Sequence, residues 1–471
     1  MNAATRDERP PWRLGASELL AHYRAGTLTP RAALDSCLAR LAQVQPSLNA
    51  FVALREDAAR AEADASGARW RAGKECGLLD GVPLAVKDNL LSADLPTTWG
   101  CAALAEHRPA HDELAVARAR AAGAIVVGKT NLPEFALEGY TSNRRFGTTR
   151  NPWNAALTPG GSSGGSVAAV AAGCVPLALG TDGGGSIRRP ASHTGLVGFK
   201  PSIGAVAREH MLPPLLLDFE VVGPMARNVA DARLLFDAVR GPSAADRQSF
   251  AAQAARKPLP AALRVLYVPT LGGSPVDAQI ATACRRATMR LKELGHEVHE
   301  GELPLNLGFM TTQWSIVGQM GLAALFERHP EWKAGASPKY IDMAAQGAAL
   351  SAPLLWNLIE SVEVLRREVA RLFTQVDLIV TPSAAALPWA AEEVFPNEID
   401  GRTVGPRGHA VFTGWVNAAG LPALAVPAEP SAEGLPIGIQ MVGDFGTDDA
   451  LFSLGAAFES LAPWAHRWPT L

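Results

Sequence analysis

The sequence predicts an α/β fold, a sheet layered with helices, and three observations carry that prediction. From Gly81 onward, short apolar runs alternate with helical patterns: "VPLAV", "AIVV", "PLAL", "RVLYVP" and "DLIVTP". Each run is closed by turn residues, and such alternation builds sheet-and-helix layers. The chain is also large and ordinary in make-up, with 471 residues, 48% of them hydrophobic and 19% charged, enough for one sizeable core.

The elements follow in order. An N-terminal part, about 13–72, reads as helical throughout. In "LTPRAALDSCLARLAQVQ", Thr29 is placed to cap, Pro30 opens the first turn, and Leu34, Leu38 and Leu41 share a face. A core follows over about 80–240. "RNVADARLLFDAVRG" is a helix stopped by Gly241, and 277–294 is another, leading into "HEVHEGELP". A helical insertion, about 306–372, is expected to lie over the core. The strands "LPALAVPA" and "IGIQMVG", joined by "SAEG", close the chain. No internal repeat or polar linker divides it, so 1–471 reads as a single domain.

Several function classes lose support. A net charge of −3 with no run of one sign gives no footprint for nucleic acid or an anionic membrane. The opening "MNAATRDERPPW" lacks the apolar core of a signal peptide, and no run reaches the roughly 20 apolar residues of a membrane span. Five cysteines without a C-x-x-C pair suit reduced thiols in a cytoplasm.

Three motifs are decoys. "GAIVVGKT" fits the P-loop spacing, but its inner residues Ala-Ile-Val-Val make a strand where a phosphate loop is needed. "GSSGG", with Ser163 at its centre, fits the nucleophile elbow but lacks the apolar strand before it. "HEVH" is not a zincin motif and reads as an exposed edge strand.

The chemistry lies elsewhere. "TPGGSSGGSVAAVAAG" and "GTDGGGSIRRP" are two Ser/Gly loops joined by a helix of small residues and a short strand. Upstream, "LDGVPLAVKDN" ends a strand on Lys87. A lysine aimed from a strand end into a buried site loses charge by desolvation and becomes a base. Lysine, serine and a glycine-lined serine together suggest a serine hydrolase without histidine.

These stretches resemble the amidase signature family. "GGSSGGSVAAVAAG" and "GTDGGGSIRRPA" carry its paired-serine signature, and "GAIVVGKTNLPEFA", "FGTTRNPWN", "GLVGFKPSIG", "GPMARNVADARLL" and "GLPALAVP…GLPIGIQMVG" follow in family order. The resemblance runs from about residue 13 to 462. It implies a large mixed β-sheet covered on both faces by helices, and an amide hydrolase that forms an acyl-enzyme. It further implies Ser186 as nucleophile, Ser162 as bridging serine after a cis peptide bond from Gly161, and Lys87 as base. The backbone N–H groups of Gly183, Gly184, Gly185 and Ser186 would hold the oxyanion. Ser163, Asp182 and Arg188 would orient the loop. No cofactor or metal is implied. Gly183 departs from the family, where Thr is common, and a freer loop is expected. Arg189 is read as exposed, the alternative being contact with a substrate carboxylate.

The pocket is read from "HMLPPLLLDF" and "LGFMTTQWSIVGQMGL", with Met211, Leu212, Leu215, Phe309, Met310 and Trp314 as candidate walls. They favour an apolar or aryl amide, with aryl esters and carbamates (urethanes) open to the same chemistry. The partner expected is a small molecule, on a monomer or homodimer. The rival reading is the glutamine-hydrolysing A subunit of a tRNA-dependent amidotransferase. That protein carries a "YGLVAFASSLDQIGP"-type stretch where this chain has "AREHMLPPLLLDFEVVGPMAR".

Overall fold

The computed structural model describes residues 9–471; the first eight residues of the polar opening stretch lie outside it. Eleven strands make the central sheet: β1 Phe51–Leu54, β2 Pro83–Lys87, β3 Ile125–Thr130, β4 Leu177–Asp182, β5 Val197–Lys200, β6 Val221–Ala226, β7 Arg264–Tyr267, β8 Glu297–Glu300, β9 Leu378–Pro382, β10 Ala423–Pro427 and β11 Gly438–Val442. Across the sheet they lie in the order β1-β3-β2-β4-β6-β5-β10-β11-β9-β7-β8. β3, β2 and β4 run parallel, as do β9, β7 and β8, while the strands between pair antiparallel. The sheet is mixed and helix-flanked, as expected.

Three strands were not legible as such. β1 lies inside the segment read as wholly helical; "FVAL" is too short to show a period, and its pairing with β3 decides its state. β5 and β6 contain Gly198, Gly223 and Pro224, poor strand signals. A Cβ on Gly223 would stand 2.1 Å from the Phe199 carbonyl, so the glycine is required by the close approach of the neighbouring strand. The helix read over 277–294 divides into Ala278–Met289 and a 3-10 turn, Arg290–Leu294. Thr29 Oγ1 does accept from Ala32 N, at 3.2 Å. "GAIVVGKT" contains β3, and "HEVH" overlaps the exposed edge strand β8. Five helices fill 308–372, the longest Ala352–Leu372. No single helix among the described residues is long and apolar enough to cross a membrane.

The helix Gly164–Ala171 is buried at every residue. It packs with Val127 and Ala178 of the sheet in one apolar cluster. Small side chains are needed because the backbones nearly touch: a Cβ on Gly165 would lie 2.4 Å from Asn131 N and 2.6 Å from Ala50 O. Neither atom can swing aside as a side chain would. Gly165→Ala is therefore expected to destabilise the protein by about 1–3 kcal/mol, read as a lowered midpoint in urea unfolding.

Candidate active site

β2 and β4 are adjacent and parallel, so their carboxyl ends share one edge of the sheet. Lys87 ends β2, and Thr181 and Asp182 end β4. Lys87 is fully buried, and its Nζ lies 2.8 Å from Ser162 Oγ, 2.9 Å from Thr181 Oγ1 and 3.3 Å from Thr181 O. Burial pushes Lys87 down to about 7, against Glu220 and Asp182, which favour its cation. A neutral amine has two hydrogens and one lone pair. The two Thr181 oxygens can take the hydrogens, which leaves the lone pair for the Ser162 hydroxyl.

The two Ser/Gly loops meet through their backbones. Ser163 N donates to Ser186 O at 3.1 Å, and the Gly161–Ser162 peptide is cis. The Ser163 hydroxyl donates to Thr181 O at 3.2 Å, tying it to the strand end beside Lys87. Gly185 has φ 117, and a Cβ there would stand 2.2 Å from Thr413 Oγ1. Only glycine fits before Ser186.

Asp182 is buried beneath the loop. Burial would raise its carboxyl, but the charge and hydrogen bonds of Arg188, with Lys200 behind, hold it well below the usual range. Arg188 is itself fully buried and grips both carboxylate oxygens, Nε at 3.0 Å and Nη2 at 2.9 Å. It also reaches Gln440 Oε1, Thr413 O and Asn417 Oδ1. The pair is thus an internal clamp, not a solvated surface pair.

That clamp corrects one expectation. The Gly185 N–H donates to Asp182 Oδ1 at 2.6 Å and so faces the carboxylate, away from any oxyanion. The N–H groups of Gly183, Gly184 and Ser186 have no protein acceptor among the described residues. Three donors remain for a developing negative charge. At Gly183, Leu216 Cδ1 stands 2.4 Å from where a Cβ would lie, so a leucine methyl takes the space a threonine side chain would need. Arg189 is buried, not exposed, at 6% of its surface.

The candidate walls divide. Trp314 Nε1 lies 3.9 Å, and Met310 Cε 3.1 Å, from the Cβ positions of Gly184 and Gly414, so both border the loop region. Phe309 joins them in a cluster with Phe219. Leu212 and Leu215 instead pack with Trp99, Phe135 and Phe326. Together with Met211 they line a small cavity that also touches Asn89. Asn89 donates to Thr181 Oγ1 at 3.0 Å, so that cavity abuts the Lys87 surroundings. Thr181, Thr413, Asn417, Gln440, Leu216 and Arg407 were not singled out from sequence. Gln440 had a signal, a polar residue inside the apolar strand "IGIQMV".

Comparison with known proteins gives a consistent picture. The amidase family model matches residues 32–452. The Mycobacterium tuberculosis protein AmiB2, an inferred amidase, is 37% identical, covering 97% of this chain and 98% of that protein. The A subunit of the glutamyl-tRNA(Gln) amidotransferase of Cyanothece sp. is 35% identical, covering 93% of this chain and 95% of that protein. A bacterial aryl acylamidase of the amidase signature enzymes superposes with TM-score 0.88 at 29% identity, covering 97% of this chain and 98% of that one.

Two outcomes follow from the geometry. A base that works only when neutral is protonated and idle below its pKa. With Lys87 at about 7 and taken as the base, kcat/KM is expected to climb as pH rises through 7 and then level off, measured as a pH–rate profile. Asp182→Asn leaves the buried Arg188 guanidinium without its counter-charge. A loss of about 3–5 kcal/mol in unfolding free energy is expected.

Proposed function

The chain belongs to the amidase signature family, a family of amide hydrolases, and from that premise we propose that it cleaves amide C–N bonds on its own, with Ser186 as nucleophile. Ser162 carries the proton, and neutral Lys87 is the base. Lys87 takes the Ser162 proton while Ser162 takes that of Ser186. Ser186 Oγ then bonds to the carbonyl carbon, and the N–H groups of Gly183, Gly184 and Ser186 receive the oxyanion. Each such donor is worth roughly 10²–10³ in rate. As the C–N bond breaks, Ser162 returns a proton to the leaving nitrogen and is re-protonated from Lys87. Water then releases the acid from the acyl-enzyme. The observation that carries this reading is the Lys87 Nζ–Ser162 Oγ contact of 2.8 Å in full burial.

Trp314, Met310 and Phe309 favour an apolar or aryl substrate segment beside Ser186, whether in an amide, an aryl ester or a carbamate. The likeness to amidotransferase A subunits favours a second reading, glutamine hydrolysis within a complex. Against it stands the apolar wall of Trp314, Met310 and Phe309, which offers no carboxylate to the ammonium of free glutamine.

Ser186→Ala is expected to lower hydrolysis of a simple anilide by several orders of magnitude and to end labelling by a fluorophosphonate; labelling that persisted on Ser163 would move the nucleophile there. For the isolated chain, kcat/KM over a series of anilides is expected to rise about fourfold per added acyl methylene, at about 0.8 kcal/mol each. A flat series with fast glutamine hydrolysis would instead establish the second reading.

A further inference from the structure

Four arginines are buried among the described residues: Arg40, Arg188, Arg189 and Arg227. Arg40 donates to Ala172 O, Arg188 to Asp182, and Arg227 to Ala465 O. Arg189 alone has no side-chain hydrogen bond or ion pair with a described residue, and its Nε is a buried nitrogen with no partner. Of its guanidinium nitrogens only Nε is fully enclosed, so with 6% of the residue exposed the others face solvent, where an anion from outside can pair with them.

Its position shows where that partner would sit. Arg189 stands three residues after Ser186, and its backbone N donates to Gly185 O at 3.0 Å. One helical turn on is His193, which meets Trp389 edge-on, and Trp389 packs on His409 at 4.8 Å between ring centroids. His193 Nδ1 and both His409 ring nitrogens are buried without partners. Burial lowers His193 to about 4 and holds His409 well below its ordinary value, so both rings are neutral near pH 7. A second guanidinium approaches the same loop: Arg407 Nη2 lies 3.9 Å from where a Gly184 Cβ would stand. Arg407 is exposed, and its side chain has no protein partner among the described residues. The nearby carboxylates are already engaged, Asp182 by Arg188 and Glu138 by Lys339.

We propose that Arg189 and Arg407 form an anion subsite beside the Ser186 loop, and that the preferred substrates are amides that carry a carboxylate. A planar guanidinium matches a carboxylate with two parallel hydrogen bonds. The apolar spacer between carboxylate and amide would lie against Trp314 and Met310. A zwitterion fits less well, because its ammonium would enter the field of two guanidiniums. The carboxylate can belong to the acyl part, as in the monoamide of a dicarboxylic acid. It can also belong to the amine part, as in an N-acyl amino acid. The inference rests on the amide-hydrolase reading above.

The test compares matched pairs. For the acyl side, kcat/KM is measured for adipic acid mono-anilide and for neutral hexananilide. For the amine side, N-hexanoylglycine is compared with N-propylhexanamide. The wild-type enzyme is expected to favour the carboxylate member by at least about tenfold in one pair, the pair that identifies the side. In Arg189→Met and in Arg407→Met that ratio is expected to fall towards one. No preference in either wild-type pair, or a ratio that survives both substitutions, overturns the proposal. Arg407 is exposed, so its variant carries the test if Arg189→Met does not fold. Turnover of hexananilide reads the amide-hydrolase proposal separately. If neither pair is turned over, adipate titrated into Ser186→Ala by calorimetry decides the matter. Binding that is lost on adding Arg407→Met supports the subsite, and absence of binding overturns it.

Discussion

Shut away from water, the carboxylate of Asp182 must find its partners inside the protein, and the partners it finds fix the Ser186 loop. It takes the N–H groups of Gly185, Ile187 and Arg188 together with the Arg188 guanidinium. The loop is therefore wound round one charge. Asn417 donates to both the backbone and side chain of Asp182, and Gln440 accepts from Arg188 while donating to Thr381 and Phe412 O. Buried ion pairs rarely repay their desolvation in stability. Here the return is geometric. With Gly185 N turned down to the carboxylate, the neighbouring N–H groups of Gly184 and Ser186 are left without protein acceptors.

At the same edge of the sheet Asp182 is held as an anion while Lys87 is a weak cation. Burial works against the charge of both groups, and the partners decide the difference. Asp182 has a guanidinium in contact, whereas Lys87 has neutral hydroxyl and carbonyl oxygens, and the acids that favour its charge act at a distance. Two neighbouring strand ends thus hold an ionised carboxylate and a lysine that loses its proton near pH 7.

Much of this was legible in the sequence, because it is written in local pattern. Lys87 at the end of "VPLAV" and the Gly/Ser loops around Ser162 and Ser186 declare themselves by composition and order. The edge strand "HEVH" and the Thr29 cap do so by flanking residues. What was illegible depends on distant segments. The Gly185 N–H is a donor to any reader of the loop, and only the carboxylate folded beneath it shows where it points. That Leu216 fills the space beside Gly183 depends on a segment some thirty residues on and shows only in the fold. Arg189 reads as a surface charge because arginines usually are; its burial follows from the helix Arg188–Thr194 being enclosed on all sides. β1, β5 and β6 are strands through their neighbours more than through their own residues.

The reach of Arg188 has a consequence for how the protein is made. Its contacts at Thr413, Asn417 and Gln440 lie 225, 229 and 252 residues further along the chain. On the ribosome, Ser186 emerges long before the segments that hold its loop in shape. At about 5–20 residues per second, that interval lasts from roughly ten seconds to nearly a minute. A nascent chain in that interval carries Lys87, Ser162 and Ser186 without the frame that aligns them. Hydrolytic competence is therefore expected only near the end of synthesis, and a chain cut short before Gln440 is expected to be silent even though Lys87, Ser162 and Ser186 are already in it.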